Sequence, residues 1–370
     1  MSGKNLKLII VLAALMPVLA ACSITTSSSG GSAGTDSSLF LSTDAGNTWR
    51  SVASVPTIDG RLQSISDVNV KVMSMDPQDP LAIYLATYDR GLYYTYNVTK
   101  GWTAVSGLPL TTINDVKVDP KNKCIIYAAL ANRLYRSSDC ARTWTQIYFD
   151  NNAGVSVNAL AIDHYNPANI YLGTSRGEII KSIDSGLAWR TIQRLDEGVA
   201  RLLISPLDSR LVFVATEKNK IYSFSSNTDT NAAYSADIEQ NFVVDNWTDL
   251  NAVLTDYDLG NSFKDIVISV KDGLIFLATE KLILRSPDNG ITWENIKLLQ
   301  PEKDAVINAI AVNPQDSDNI YYVTNTTFFK STDGGTTWTT KNLPTARAGR
   351  ELLIDFNNPN NIYLGTVKLK

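Results

Sequence analysis

Short apolar runs alternate with turn-forming clusters along most of the chain. A run such as Ile125-Ile126-Tyr127-Ala128 is apolar at every position, which suits a strand covered on both faces. Each such strand follows another apolar strand and a turn such as Asp76-Pro77, Asp119-Pro120 or Asn313-Pro314. Its aromatic recurs as Tyr84, Tyr127, Tyr171, Phe213, Phe276, Tyr321 and Tyr363. A short turn, a third strand, a polar turn ending in Trp and a fourth strand complete the unit. The pattern predicts an inner strand A followed by strands B, C and D.

All seven tryptophans fall in this series: Trp49, Trp102, Trp144, Trp189, Trp247, Trp293 and Trp338, spaced 53, 42, 45, 58, 46 and 45 residues apart. Five end near-identical frames: STDAGNTW, SSDCARTW, SIDSGLAW, SPDNGITW and STDGGTTW. A period in the forties with short strands means blades around an axis, so the expected fold is an all-β, seven-bladed propeller. The frames resemble the Asp-box, S-x-D-x-G-x-T-W, of BNR-type propellers, with Trp102 and Trp247 ending degenerate copies. In such a turn the carboxylate accepts backbone N–H bonds, Gly supplies positive φ and Trp buries its ring between blades. Asp44, Asp139, Asp184, Asp288 and Asp333, with Trp49, Trp144, Trp189, Trp293 and Trp338, are therefore read as structural. The repeats begin on a strand C at Leu39 and end on an A and a B at Arg350–Ile354 and Ile362–Thr366, so one blade is expected to draw strands from both ends of the chain.

The first residues read differently. Lys4 and Lys7 precede an apolar stretch from Leu8 to Ala21, the layout of a secretory signal. Leu19-Ala20-Ala21-Cys22 resembles a bacterial lipobox, in which the Cys22 thiol receives lipid. Residues 23–38 form a Ser/Gly/Thr tether reaching roughly 20–25 Å on average. The expected organisation is 1–21 signal peptide, 22–38 lipidated cysteine and flexible linker, and 39–370 propeller. Several acyl chains on one Cys suffice for stable anchoring. The expected location is extracytoplasmic, on the outer membrane or cell surface.

Composition narrows the chemistry. The lone His164, in an A-to-B turn, cannot supply a His-rich metal cage, and three Cys cannot make a four-cysteine zinc site. No metal, cofactor or catalytic residue is expected. Net charge is −4, and loss of Lys4 and Lys7 would take the basic count from 33 to 31 against 37 acids. That balance argues against nucleic acid as a partner. Cys124 and Cys140 fall in one blade, on strand B and in the polar turn, where pairing places them opposite each other; a disulfide is expected.

Against this acidic background the B-to-C turns are basic: Arg90, Arg133, Arg176, Lys220 and Lys281. The first residues of inner strands add Lys71, Arg201, Lys264 and Arg350, with Asn114, Asn158 and Asn308 at equivalent places. A basic arc on one face suits carboxylates, an acidic peptide or anionic head groups. Asp115, Asp265 and Glu351 lie among the same strand starts, either pairing with these cations or forming a glycosidase-like acid pair. Long D-to-A loops, 54–67 and 249–263, are expected on the same face. His164 and the Asn227–Asn246 insertion are expected on the opposite one.

The repeats most resemble the photosystem II assembly and stability factor family, with sortilin-type receptors and xyloglucanases more distant. That resemblance implies a non-enzymatic scaffold that binds a membrane-protein client, here tied to a membrane by its lipid; a monomer is expected. The alternatives are a glycan-binding propeller or a glycoside hydrolase of sialidase or xyloglucanase type; the Phe-Arg-Ile-Pro segment of sialidases does not occur.

Overall fold

A strand that is apolar on both faces needs a neighbour on each, and the neighbours here are further copies of its own sheet. The structure is a computed structural model that describes residues 36–59, 61, 63–226, 244–299 and 306–369. The signal segment, Cys22 and the linker to residue 35 lie outside the described residues, as does 227–243 of the insertion.

The described residues form seven four-stranded antiparallel sheets. Blade 1 is Val70–Asp76, Asp79–Thr87, Leu92–Thr95 and Thr103–Ala104; blade 2 is Asp115–Asp119, Asn122–Leu130, Arg133–Ser137 and Thr145–Phe149. Blade 3 is Val157–Ile162, Ile170–Thr174, Glu178–Ser182 and Arg190–Arg194; blade 4 is Val199–Ile204, Leu211–Thr216, Ile221–Ser226 and Val244–Asp249. Blade 5 is Phe263–Ile268, Ile275–Thr279, Ile283–Ser286 and Glu294–Ile296; blade 6 is Ala309–Asn313, Asp316–Val323, Thr327–Ser331 and Thr339–Asn342. Blade 7 is composite, as expected: Ala348–Ile354 and Ile362–Val367 pair with Leu39–Ser42 and Arg50–Ser51. Inner strands touch in the order of the blades, and blade 7 touches blade 1, so the ring closes.

No central core exists. The buried apolar residues divide into seven clusters, one at each seam between blades. The seven recurring aromatics lie in these seams, none more than 3% exposed. The tryptophans hold the outer part of each seam by reaching back to the preceding blade. Trp102 donates its indole N–H to the Val52 carbonyl (2.8 Å), Trp189 to Ile147 (2.9 Å) and Trp338 to Lys297 (2.9 Å), while Trp49 packs edge-on against Phe328. Trp102 and Trp293 are buried; the other five are half-buried at the rim.

The five polar turns share one bonding scheme. In the last, Asp333 accepts the Ser331 hydroxyl (2.7 Å), the Thr337 amide (2.8 Å) and the Thr337 hydroxyl (2.6 Å), while Ser331 Oγ accepts the Gly335 amide (2.9 Å). Asp44, Asp139 and Asp288 repeat it; Asp184 has Ala188 in place of Thr and keeps only the amide bond there. Hydrogen bonds from the Thr side chain and backbone hold Asp44, Asp139 and Asp333 down to about 2. Gly335 has φ +88°, and a Cβ there would sit 2.3 Å from Ile296 of blade 5. The residue before it is left-handed too, a feature the motif did not announce: Ala45, Cys140, Ser185, Asn289 and Gly334 all have positive φ. Blade 2 departs most, with Ala141 in the glycine place, and there Cys140 is bonded to Cys124. A loop that short contributes about 3 kcal/mol at most.

Two expectations change. Ser37 and Ser38, assigned to the flexible linker, are buried; Ser38 Oγ bonds the Ile65 carbonyl (2.6 Å) and the Ser38 carbonyl accepts the Thr366 amide (2.8 Å). Packing thus begins before Leu39. The 54–67 loop folds back as a hairpin, Ser54–Val55 against Gln63–Ser64, whose base bonds Trp102 at the seam of blades 7 and 1. Only its end, at Asp67, reaches the face expected. The 249–263 loop does reach that face and contains a 3-10 turn, Ala252–Asp256.

Two outcomes follow from the turns. Their carboxylates have folded-state pKa values below the unfolded value of 3.8, so their contribution is complete above about pH 4 and disappears as pH falls toward 2. Acid unfolding followed by circular dichroism should show this loss, and the Asp44→Asn, Asp139→Asn, Asp333→Asn triple variant should flatten the slope. Gly335→Ala should cost about 2–4 kcal/mol in urea unfolding, from left-handed strain plus overpacking against Ile296.

A cationic mouth above a buried charge belt

Function in a ring of repeats has to come from positions that differ between copies, and the inner strands contain one such position per blade. Where each inner strand begins, its pairing with the second strand slips by one residue. The register shifts fall at Lys71, Asn158, Ala200, Lys264 and Arg350. Asn114 and Asn308 take the same place in blades 2 and 6, their amides bonding Ala129 and Val323 just before regular pairing starts. Bulges of this kind re-aim side chains. Six of the seven, Asn308 excepted, line a cavity of about 290 Å³ at the upper end of the axis, with Tyr88, Arg201, Glu217 and Phe263.

The three amides stitch blades together. Asn114 donates to the Val157 carbonyl of blade 3 (2.9 Å), Asn158 to Val199 of blade 4 (3.3 Å) and Asn308 to Gly349 of blade 7 (2.9 Å). Sequence placed these residues at equivalent positions without assigning this work. Blades 1, 5 and 7 carry Lys71, Lys264 and Arg350 instead. Lys71 bonds the Asn114 side-chain oxygen (2.8 Å) and lies 5.3 Å from the Tyr88 ring; Arg350 donates to the Tyr88 hydroxyl (3.3 Å). Among the described residues, none of these three cations has a carboxylate within 4 Å. Burial, then the charges of Arg350 and Arg201, pull Lys71 down to about 8.

The turn cations are placed differently. Arg90 pairs with Asp67 (3.0 Å), Lys220 with Glu197 (3.0 Å), Lys281 with Asp258 (2.6 Å), and Arg176 with Asp150 and Glu178 (3.2 and 2.6 Å). Arg133 lies over the Phe149 ring at 5.3 Å. Three of these acids stand 23 residues before their cation, in the preceding D-to-A loop. That recurrent spacing was a readable signal for pairing.

Arg201 belongs to neither set. It sits one residue deeper than the bulge, where Nε lies 3.5 Å from Asp265 of blade 5 and a terminal nitrogen 3.9 Å from Glu351 of blade 7. Asp115 completes this belt, pairing with Lys117 (3.0 Å) and accepting the Leu160 amide of blade 3 (3.0 Å). The acids thus meet Arg201 and Lys117, not the mouth cations. Burial raises the Glu351 carboxyl above the usual range; Arg201 opposes this and Asp265 adds to it. Arg347, which the sequence reading passed over, closes the seam of blades 7 and 1: it is 2% exposed and bonds Thr366, Asn69 and the Val68 carbonyl. His164 is exposed in its A-to-B turn on the opposite face, where Asp163 accepts the amides of Tyr165 and Asn166. No group of three or more metal-binding side chains occurs among the described residues.

The fold and this mouth define a seven-bladed β-propeller with an unpaired cationic opening. Residues 201–361 match the DUF6242 beta propeller domain family. No curated protein matches the chain. Among solved structures, the GH74 xyloglucanase from Xanthomonas campestris superposes with TM-score 0.62 at 16% identity, over 81% of this chain and 51% of that one. The Niastella koreensis GH74 enzyme gives 0.61 at 17%, again over 81% and 51%. This chain therefore spans about half the length of those enzymes. A structure of YCF48 bound to D1 peptide gives 0.59 at 15% identity, over 81% of this chain and 94% of that one. These identities establish the fold alone.

Removing the cation of the belt should leave two enclosed carboxylates uncompensated. Arg201→Met should cost about 2–3 kcal/mol in urea unfolding, and Arg201→Met with Glu351→Gln should cost less than the single change.

Proposed function

We propose that this propeller is a non-catalytic binding scaffold that holds a carboxylate-bearing segment of a protein partner at its upper mouth. The observation that carries this reading is the contrast between paired and unpaired cations. The turn cations are committed to acids or an aromatic ring, while Lys71, Lys264 and Arg350 converge on one cavity without an acid in contact. Three cations gathered around a cavity with one acid in its lining, Glu217, and none within 4 Å of them among the described residues, favour an anionic ligand. Exposed Tyr88 beside them offers apolar contact to neighbouring side chains. The YCF48 structure supports the reading, since one whole propeller of comparable size there is bound to a peptide. We further propose that the chain is exported and lipid-anchored through Cys22. Its described part starts at Asp36, 3.7 Å from Arg347, and runs into Leu39, whose pairing with Gly365 lies at the upper end of blade 7.

The test is affinity capture from detergent-solubilised native membranes. Lys264→Glu with Arg350→Glu should lose the partner, about a hundredfold in affinity, with an unchanged thermal melt. Lys341→Glu, on the exposed outer strand of blade 6, should retain it. Retention by the double variant, or hydrolysis of xyloglucan by the purified protein, would overturn the reading.

A further inference from the structure

Below the belt the axis changes character. A second cavity, about 390 Å³, runs from Asp115, Arg201, Asp265 and Glu351 down to Val270, Pro314 and Phe356 in the lower turns. Its walls between are largely apolar, including Met75, Leu203, Ile268, Val312 and Leu353. Such a volume, with apolar walls and a few polar groups at one end, is that of a small-ligand site.

The polar end has an unsatisfied member. Glu351 is 7% exposed and lines this cavity, and among the described residues its carboxylate has one ion pair, a long one to Arg201 at 3.9 Å. Asp265 beside it takes the Ile266 amide and the shorter contact to Arg201, 3.5 Å. Buried carboxylates normally find donors, so this one has acceptor capacity to offer a guest. Asp115, Asp265 and Glu351 form ion pairs with Arg201 and Lys117, and Arg350 of the mouth adds a more distant positive charge at Glu351.

The way in selects the guest further. Approach from above passes Lys71, Lys264 and Arg350, which repel a cation. The lower turns and their flanks carry nine aspartates, among them Asp76, Asp119, Asp272 and Asp355, against Lys121, Lys123, Arg210 and Lys271. That face attracts cations and disfavours anions. We propose that the lower lumen is a binding site for an alkylammonium group, a primary amine on a linear apolar stem. The amine is held at Glu351 and Asp265, and the stem lies along Leu203, Ile268, Val312 and Leu353. The site shares Arg201 with the upper mouth but opens downward from it, and its test does not depend on the partner proposed there.

n-Hexylamine, n-hexanol and hexanoate share a stem and differ in head group. Calorimetry on the full chain should show saturable binding of hexylamine, about tenfold weaker binding of hexanol and none of hexanoate. Hexylamine should shift the methyl resonances of Met73 and Met75, both on the lumen wall. Glu351→Gln keeps the shape of the side chain; with an unchanged unliganded melt it should lose about tenfold in amine affinity. If Glu351→Gln alters the melt, wild-type methionine shifts for amine against alcohol decide instead. Failure of hexylamine to bind, equal binding of hexanol, or undiminished amine binding by a folded Glu351→Gln variant would overturn the proposal.

Discussion

Everything in this molecule depends on closing the ring. A blade of the size seen here has two apolar faces and no third layer, so each face is buried only by the next blade. Seven separate seams replace one core. Pairing of Leu39–Ser42 with Ile362–Val367 makes the last seam possible, because without it blade 7 would present an open edge and a bare face. Arg347 reinforces that junction from within, bridging Thr366 of blade 7 and Val68–Asn69 ahead of blade 1. A cation 2% exposed is costly unless bonded, and its partners come from the two ends of the fold that have to meet.

Much of this was legible because repetition multiplies weak signals. One Ser-x-Asp-x-Gly-x-Thr-Trp frame is only a turn; five at a near-constant spacing, alternating with seven buried aromatics, establish blade number and strand order. The composite blade was legible for the same reason, since the copies at the two ends are complementary fragments. What escaped is what repetition does not encode. The position of Arg201 depends on a one-residue register slip, and a bulge moves a side chain by a whole layer without leaving a mark in composition. The 54–64 hairpin has no counterpart in other blades, and Ser37 and Ser38 look like linker because their bonds are to Ile65 and Thr366, far away in sequence.

The turn cations teach a sharper version of this. Five basic turns on consecutive blades suggested one charged arc, yet four are paired with acids and the fifth covers an aromatic ring. Exposed pairs of this sort add little stability. Their effect is to cancel local charge at the periphery of the upper face and leave its centre as the source of field. The three free cations at the mouth are therefore distinguished by their surroundings, not by residue type.

The bulge ring shows how architecture and function divide one position. Every blade has this position; Asn114, Asn158 and Asn308 use the side chain to bond the backbone of the next blade, while Lys71 and Arg350 reach the side chains of Asn114 and Tyr88 in theirs. At Ala200 the side chain is dispensable, so nothing in the ring requires a long cation at the remaining three. Lys71, Lys264 and Arg350 instead crowd like charges into a small cavity, and Lys71 is held near 8 by burial and by its neighbours' charges. An amide at that place would bond the adjacent blade and avoid the repulsion. A cluster of like charges that the amides of three sister blades avoid is the kind of departure that the proposed binding site would explain.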